Sequence, residues 1–213
     1  MFSLVSAIAD LCIRFFSSSR KRSVPLLNPL HPLAQVPHFA EPGRMNPKTH
    51  EDLMSEAAYS SALDHIVFTC VDIAFLYGDR LLLAKRNHYP RKSWWIIGGR
   101  MVAGENPIQT AQRKASEEAQ LPYLPAERFQ FIGVYSTSFA FREQAPIHHG
   151  SHSVNLTYQV TLSEPETHLL QLTSSEYDPS YQWVQLEQIT DLADANSPLD
   201  QALLQIAQDL QIS

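Results

Sequence analysis

The run from Gly99 to Leu121, GRMVAGENPIQTAQRKASEEAQL, constrains this chain more than any other. It sets a glycine, Glu105 six residues on, Arg113 eight after that, and then the pair Glu117–Glu118. Pro107 suits a first helical position, because the N–H it lacks would have no partner there. Asn106 just before it is a candidate N-cap. The stretch therefore reads as a turn holding Gly99 and Glu105, then a helix opened by Pro107. At about 100° per residue, Arg113, Lys114, Glu117 and Glu118 share one side of that helix. Ile108, Ala111, Ala115 and Ala119 lie opposite, small and apolar, suited to packing on a sheet. Adjacent carboxylates repel each other and call for bulk water or a cation. An oxygen-rich cluster is what Mg2+ or Mn2+ prefers. A solvated acidic helix face would also give the Glu pair, but it leaves the GGR turn and the Glu105 spacing without a reason.

The elements around this run suggest where it sits. His65 to Tyr77 is rich in β-branched and aromatic residues and reads as a strand; Gly78-Asp79 turns the chain, and Arg80 to Lys85 returns as a second strand. Trp94 to Ile97 leads into the GGR turn. Phe129–Phe141, Ser153–Leu162 and Tyr181–Leu186 read as further strands. Ser197-Pro198 starts a last helix with Leu203, Leu204, Ile206 and Leu210 as its apolar stripe. Strands on both sides of one long helix, with a second helix closing the other face, predict an α/β class fold: an α/β/α sandwich around a mixed sheet.

The chain has 213 residues and 44% hydrophobic content, enough for one domain with a real core plus an extension. We expect an extension over 1–23, a linker over 24–59 and the folded domain over 60–213. Met1 to Phe16 is apolar but broken by Asp10 and Arg14, too short and too charged to span a bilayer. The basic residues Arg20, Lys21 and Arg22 follow that run, whereas a secretory signal carries its charge in front. Two readings stay open for 1–23: an amphipathic helix in weak contact with an anionic membrane surface, or a disordered tail. Five prolines between Pro25 and Pro42 block helix and central strand alike. A net charge of −6 argues against a nucleic-acid partner. Cys12 and Cys70 form no disulfide framework, which fits a cytoplasmic setting, with Cys70 a buried thiol.

The Gly99–Leu121 run resembles the Nudix box, G-x5-E-x7-R-E-U-x-E-E-x-G-U with U aliphatic. The match holds at Gly99, Glu105, Arg113, Ala115, Glu117, Glu118 and Leu121. It departs at Lys114, where the family has a glutamate, and at Gln120, where it has glycine. The resemblance implies a Nudix-type α/β/α sandwich and hydrolysis of a nucleoside diphosphate linked to another group. It also implies a Mg2+ or Mn2+ ion held by Glu117, Glu118 and the Gly99 carbonyl. Arg113 and Glu105 then organise the box structurally, and Glu118 joins the catalytic set. Charged Lys114 has no lone pair to bind metal or activate water. Three readings stay open: it turns outward, it substitutes for a cation against phosphate, or catalysis is lost.

Val71 to Met101 is similar to the GDP-mannose hydrolase branch of the family, in its strand aspartate, KR, Pro, Trp and GGR. Through that resemblance Asp72, Arg86 and Arg100 are expected to bind the nucleotide-sugar substrate, and a homodimer is the expected assembly. The branch uses a loop histidine as base. Here His148, His149 and His152 lie on the loop before a strand, and His152, nearest the strand, is the candidate. Trp94, Trp95 and Tyr135 are candidates for stacking a base or sugar, or for core packing. The alternatives to a nucleotide-sugar hydrolase are a nucleotide-binding module that has lost the chemistry, and a hydrolase of oxidised nucleoside triphosphates.

Overall fold

The computed structural model describes residues 36–41, 46–47, 54–122, 124–194 and 196–212. The expected extension over 1–23 and most of the linker over 24–59 lie outside the described residues. Helix α1, Glu56–His65, opens at Ser55, whose hydroxyl accepts from the Ala58 N–H at 3.3 Å. It therefore starts four residues before the expected domain boundary.

Among the described residues the sheet has seven strands. They are β1 Phe68–Tyr77, β2 Arg80–Arg86, β3 Trp94–Trp95, β4 Ile97–Arg100, β5 Gln130–Phe139, β6 Ser151–Thr161 and β7 Tyr177–Gln185. β1 and β6 run parallel and the other pairs are antiparallel, so the sheet is mixed. One edge of β1 carries β6 along its whole length. Its other edge is divided: Leu76 and Tyr77 pair with β2, while Cys70 to Ile73 pair with β4. The two partners part from one strand, and β3, joined to β4 through Ile96, pairs with β2 at Ala84 and Lys85. The expected turn at Gly99 is thus strand β4, because the Gly98–Gly99 backbone pairs with Asp72 and Val71. Gly98 has no room for a side chain, since a Cβ there would lie 2.4 Å from both Asp72 Oδ1 and Val71 O.

Alternation along β1 builds two cores, as successive strand side chains face opposite ways. Val71, Ile73 and Phe75 join one cluster with Leu82, Ile97, Tyr158 and the apolar side of α2, Pro107–Ala119. Ala74 and Leu76 join the other with Leu81, Leu83, Trp95 and the stripe Leu203, Ile206, Ala207 and Leu210 of α5, Pro198–Ile212. A helix thus covers each face, giving the layered mixed α/β fold. Two short helices, α3 Glu164–Leu169 and α4 Ile189–Leu192, complete the connections.

Helix α2 begins as its sequence dictates. Asn106 Oδ1 accepts from the Gln109 N–H at 2.8 Å, and the Gln109 side chain accepts from the Asn106 N–H at 2.9 Å, a reciprocal cap. It ends on Gln120 at φ 53°, the left-handed region. Glycine enters that region at no steric cost, whereas a side chain there is strained by about 1 kcal/mol. The loop after α3 seals the end: the Gln171 and Thr173 N–H groups donate to the carbonyls of Ala119 and Glu118 at 3.2 and 3.0 Å.

Candidate active site

A cleft of about 320 Å3 opens where β2 and β4 part. Of the sequence-predicted residues, Asp72, Arg86, Trp95, Gly99, Arg100, Glu118 and His152 line it, and Lys114 lines it with them. Glu105, Arg113 and Glu117 lie on the outer side of α2.

The outer side is one connected ion-pair system. Arg113 donates to both Glu105 oxygens, at 2.6 and 2.9 Å, to Glu117 at 3.0 Å and to the Arg100 carbonyl at 3.0 Å. Glu105 also accepts from the Thr110 hydroxyl at 2.7 Å and the Val102 N–H at 3.1 Å. Burial works against charging Glu105, but Arg113 and these donors outweigh it and hold the carboxyl below its ordinary range. The system ties the loop after β4 to the first turns of α2.

The inner side is different. Glu118 is only 3% exposed, whereas the neighbouring Glu117 side chain is 52% exposed. The expected adjacent pair is therefore divided between core boundary and solvent, with the Lys114 ammonium 2.6 Å from Glu118 and 3.7 Å from Glu117. Glu118 accepts from the Lys114 ammonium at 2.6 Å and from the Tyr177 hydroxyl of β7. Burial, and then the Glu118 charge, push the Tyr177 phenol well above its ordinary value. Lys114 reaches Glu118 by running over Gly99, where a Cβ would lie 2.8 Å from the Lys114 Cε.

Arg86 donates to Glu176 at 2.7 Å, with His88 Nε2 2.8 Å from the same oxygen. Burial opposes its charge, but Tyr177, Glu118, Glu176 and Asp72 outweigh that and raise its pKa. Among the described residues its buried Nε has no partner. Arg100 is exposed, with its guanidinium 3.9 Å from the centre of the Tyr59 ring of α1.

Asp72 forms the floor. Oδ2 accepts from the Asn155 amide at 2.7 Å and the Trp95 indole at 3.3 Å. Burial, stronger than these two bonds, pushes the carboxyl up to about 6. Burial and then Asp72 push the Cys70 thiol up to about 12, so it stays protonated and unreactive. His152 Nε2 lies 2.8 Å from the Ser136 hydroxyl, within the cleft. His149 instead meets Asp64 at 3.0 Å, outside the cleft, beside the buried Arg142.

The aromatic expectations divide as well. Trp95 is buried, sandwiched by the Arg91 guanidinium 3.9 Å from its ring centre. Trp94 and Tyr135 pack against the α5-side core, and the Tyr135 hydroxyl donates to Asp209 at 2.6 Å. Trp95 still lines the cleft, together with Tyr59 and Tyr89, whereas Trp94 and Tyr135 do not. Sequence reasoning also missed Asn155, Glu176 and Tyr177. They come from distant strands and the loop before β7, and carry no local spacing that could have shown them.

The Mg2+ or Mn2+ ion expected at Gly99, Glu117 and Glu118 does not fit this arrangement. Glu118 is engaged by Lys114 and Tyr177, and Glu117 turns to Arg113. Among the described residues no group of three or more His, Cys, Asp or Glu side chains is placed to hold a metal. At an effective dielectric of about 20, a dication about 4 Å from the ammonium is repelled by about 8 kcal/mol, which cancels its attraction to one carboxylate at that distance.

Fold and cleft define a mixed α/β domain with arginines and a lysine gathered at the split in its sheet. The family model described as the NUDIX domain matches residues 68–205, more than half of the chain. The chain belongs to the NUDIX family, whose hydrolases generally use divalent metals. Its fold is similar to the MutT protein from Methanosarcina mazei Go1, at 15% identity and TM-score 0.52, covering 68% of this chain and 96% of that one. It is also similar to the NUDIX domain of Shewanella oneidensis NrtR complexed with ADP ribose, at 20% identity and TM-score 0.47, covering 75% and 100%. A third is a C. elegans Ap4A hydrolase binary complex, at 16% identity and TM-score 0.47, covering 68% and 96%. At these identities the likeness is one of fold. No curated protein matches the chain. Among the described residues, no helix is long and apolar enough to cross a membrane.

Proposed function

We propose that the cleft hydrolyses a nucleoside diphosphate linked to another group, with a nucleotide sugar as the substrate class. The observation that supports this most is the gathering of Arg86, Arg100 and Lys114 on one cleft beside the box helix. A guanidinium pairs with phosphate oxygens in two-point fashion, so two arginines and an ammonium suit a pyrophosphate. The resemblance of Val71–Met101 to the GDP-mannose hydrolase branch favours a sugar as the second group. Asp72 and Asn155 supply hydrogen-bonding atoms on the floor for hydroxyls or a base edge. In this reading His152 is the base: its neutral imidazole takes a proton as water attacks the phosphorus or carbon beside the diphosphate. Charge developing on the leaving oxygen is balanced by Arg86 and Arg100. Glu118 acts through Lys114, which it holds in place.

A panel of nucleoside diphosphate sugars, dinucleoside polyphosphates and oxidised nucleoside triphosphates tests this by product release. We expect turnover of a nucleoside diphosphate sugar, with loss of about a hundredfold or more in rate for His152→Gln. No turnover of any compound at high enzyme concentration contradicts hydrolysis. Binding without turnover supports the second reading, a nucleotide-binding module that has lost the chemistry. The Lys114–Glu118 pair, a cation set on the family's carboxylate, is the observation that favours that reading.

A further inference from the structure

We infer that the Lys114 ammonium is the resident cation of this cleft, and that it grips a diphosphate oxygen directly, so that nucleotide binding needs no divalent metal. The inference rests on the reading of the cleft as a nucleoside diphosphate site, and goes beyond it by naming the cation.

Three observations converge on Lys114. Its Nζ lies 2.6 Å from Glu118 Oε1, and the Glu118 side chain is 4% exposed. A carboxylate so buried needs a positive partner, and this one is tethered and cannot dissociate. The route to that partner is shaped for it: β4 presents Gly99 where the lysine stem crosses, and a Cβ there would lie 2.8 and 3.2 Å from Cε and Nζ. Finally, the ammonium opens onto the space that Arg86 and Arg100 line.

Donor arithmetic leaves the ammonium free to bind. A lysine has three N–H donors. Among the described residues, Glu118 takes the only hydrogen bond, since Glu117 lies 3.7 Å away, beyond hydrogen-bond distance. Donors therefore remain for a phosphate oxygen while Glu118 keeps its partner. The Tyr177 hydroxyl on the other Glu118 oxygen keeps that carboxylate from swinging out to release the lysine. The side-chain arrangement that excludes a dication from Glu118 is the same one that presents a fixed positive charge to the cleft.

The test uses GDP and ADP as probes of the full chain, in calorimetric titrations run once with a chelator and once with magnesium. The wild type is expected to bind one of them with affinities that agree within about twofold between the two buffers. Lys114→Met keeps the aliphatic stem and is expected to bind at least about tenfold more weakly in both. Lys114→Glu is expected to bind weakly in chelator and to recover with magnesium. Manganese titration without nucleotide, read by paramagnetic resonance, is expected to show a bound ion in Lys114→Glu and none in the wild type. Wild-type binding that appears only with magnesium overturns the inference and leaves the nucleotide reading standing. Unchanged binding by folded Lys114→Met overturns it too, reducing Lys114 to a structural ion pair. No binding of either nucleotide in either buffer overturns both.

Discussion

Glu117 and Glu118 are neighbours in the chain and opposites in circumstance. Glu117 belongs to an outer system in which Arg113 joins it to Glu105 and the Arg100 carbonyl, and its own side chain is half in water. Glu118 belongs to an inner system of Lys114 and Tyr177, where almost no solvent reaches the carboxylate. In the outer system charge is shared among several groups and screened. In the inner one Lys114 is the cation bonded to the buried anion, and Arg86 also feels that charge. The contrast teaches that the helix positions fix which residues can meet, while burial fixes how much each meeting matters.

The largest expected effect separates the two carboxylates. Glu118→Ala leaves a partly buried ammonium and a buried phenol without their acceptor, and should cost about 3–5 kcal/mol in denaturant unfolding. Glu117→Ala removes an exposed partner and should cost less than about 1 kcal/mol. Equal losses would break the comparison.

Asp72 sharpens it, as a buried carboxylate without a cation bonded to it. Its folded pKa of about 6 lies above the ordinary value of 3.8, so the folded protein holds this proton more tightly than the unfolded chain. Stability then falls as pH rises from about 4 to 6 and stays lower above that window, by about 3 kcal/mol for a shift of this size. Asp72→Asn keeps an acceptor for Asn155 and Trp95. It should match the wild type near pH 4 and exceed it by up to about 3 kcal/mol near pH 7. Parallel pH profiles for the two proteins would show that Asp72 pays no burial penalty.

The smallest effect lies at the helix end that both systems share. Gln120→Gly removes a side chain from the left-handed region and should raise stability by about 1 kcal/mol, read as a higher unfolding midpoint. A loss instead would mean that the Gln120 side chain contributes something its strained backbone conceals.

Much of the frame was legible in the chain. The Pro107 start, the Asn106 cap and the apolar face Ile108, Ala111, Ala115 and Ala119 follow from local spacing, and all stand in the structure. The β-branched and aromatic content of His65–Tyr77 likewise marked a strand, and β1 runs over Phe68–Tyr77. What escaped was set by pairing over distance. Gly99 looks like a turn residue until β1 is seen to pair with it, and Glu118 looks solvated until β7 brings Tyr177 over it from 59 residues away. Helix periodicity placed Lys114 on the charged side of α2, but only the missing side chain at Gly99 shows that it points into the cleft. Tyr135 illustrates the converse. Its chemistry suits a ligand, but the α5-side core and Asp209 use it for packing.

The chemistry of the cleft depends on which cation neutralises Glu118. Crystals soaked in manganese and the nucleoside diphosphate that binds best, with anomalous data collected at the manganese edge, would answer that directly. The expected result is no anomalous peak beside Glu118, with Lys114 Nζ within hydrogen-bond distance of a phosphate oxygen. A manganese ion bound to Glu118, with Lys114 displaced from the cleft, would contradict it.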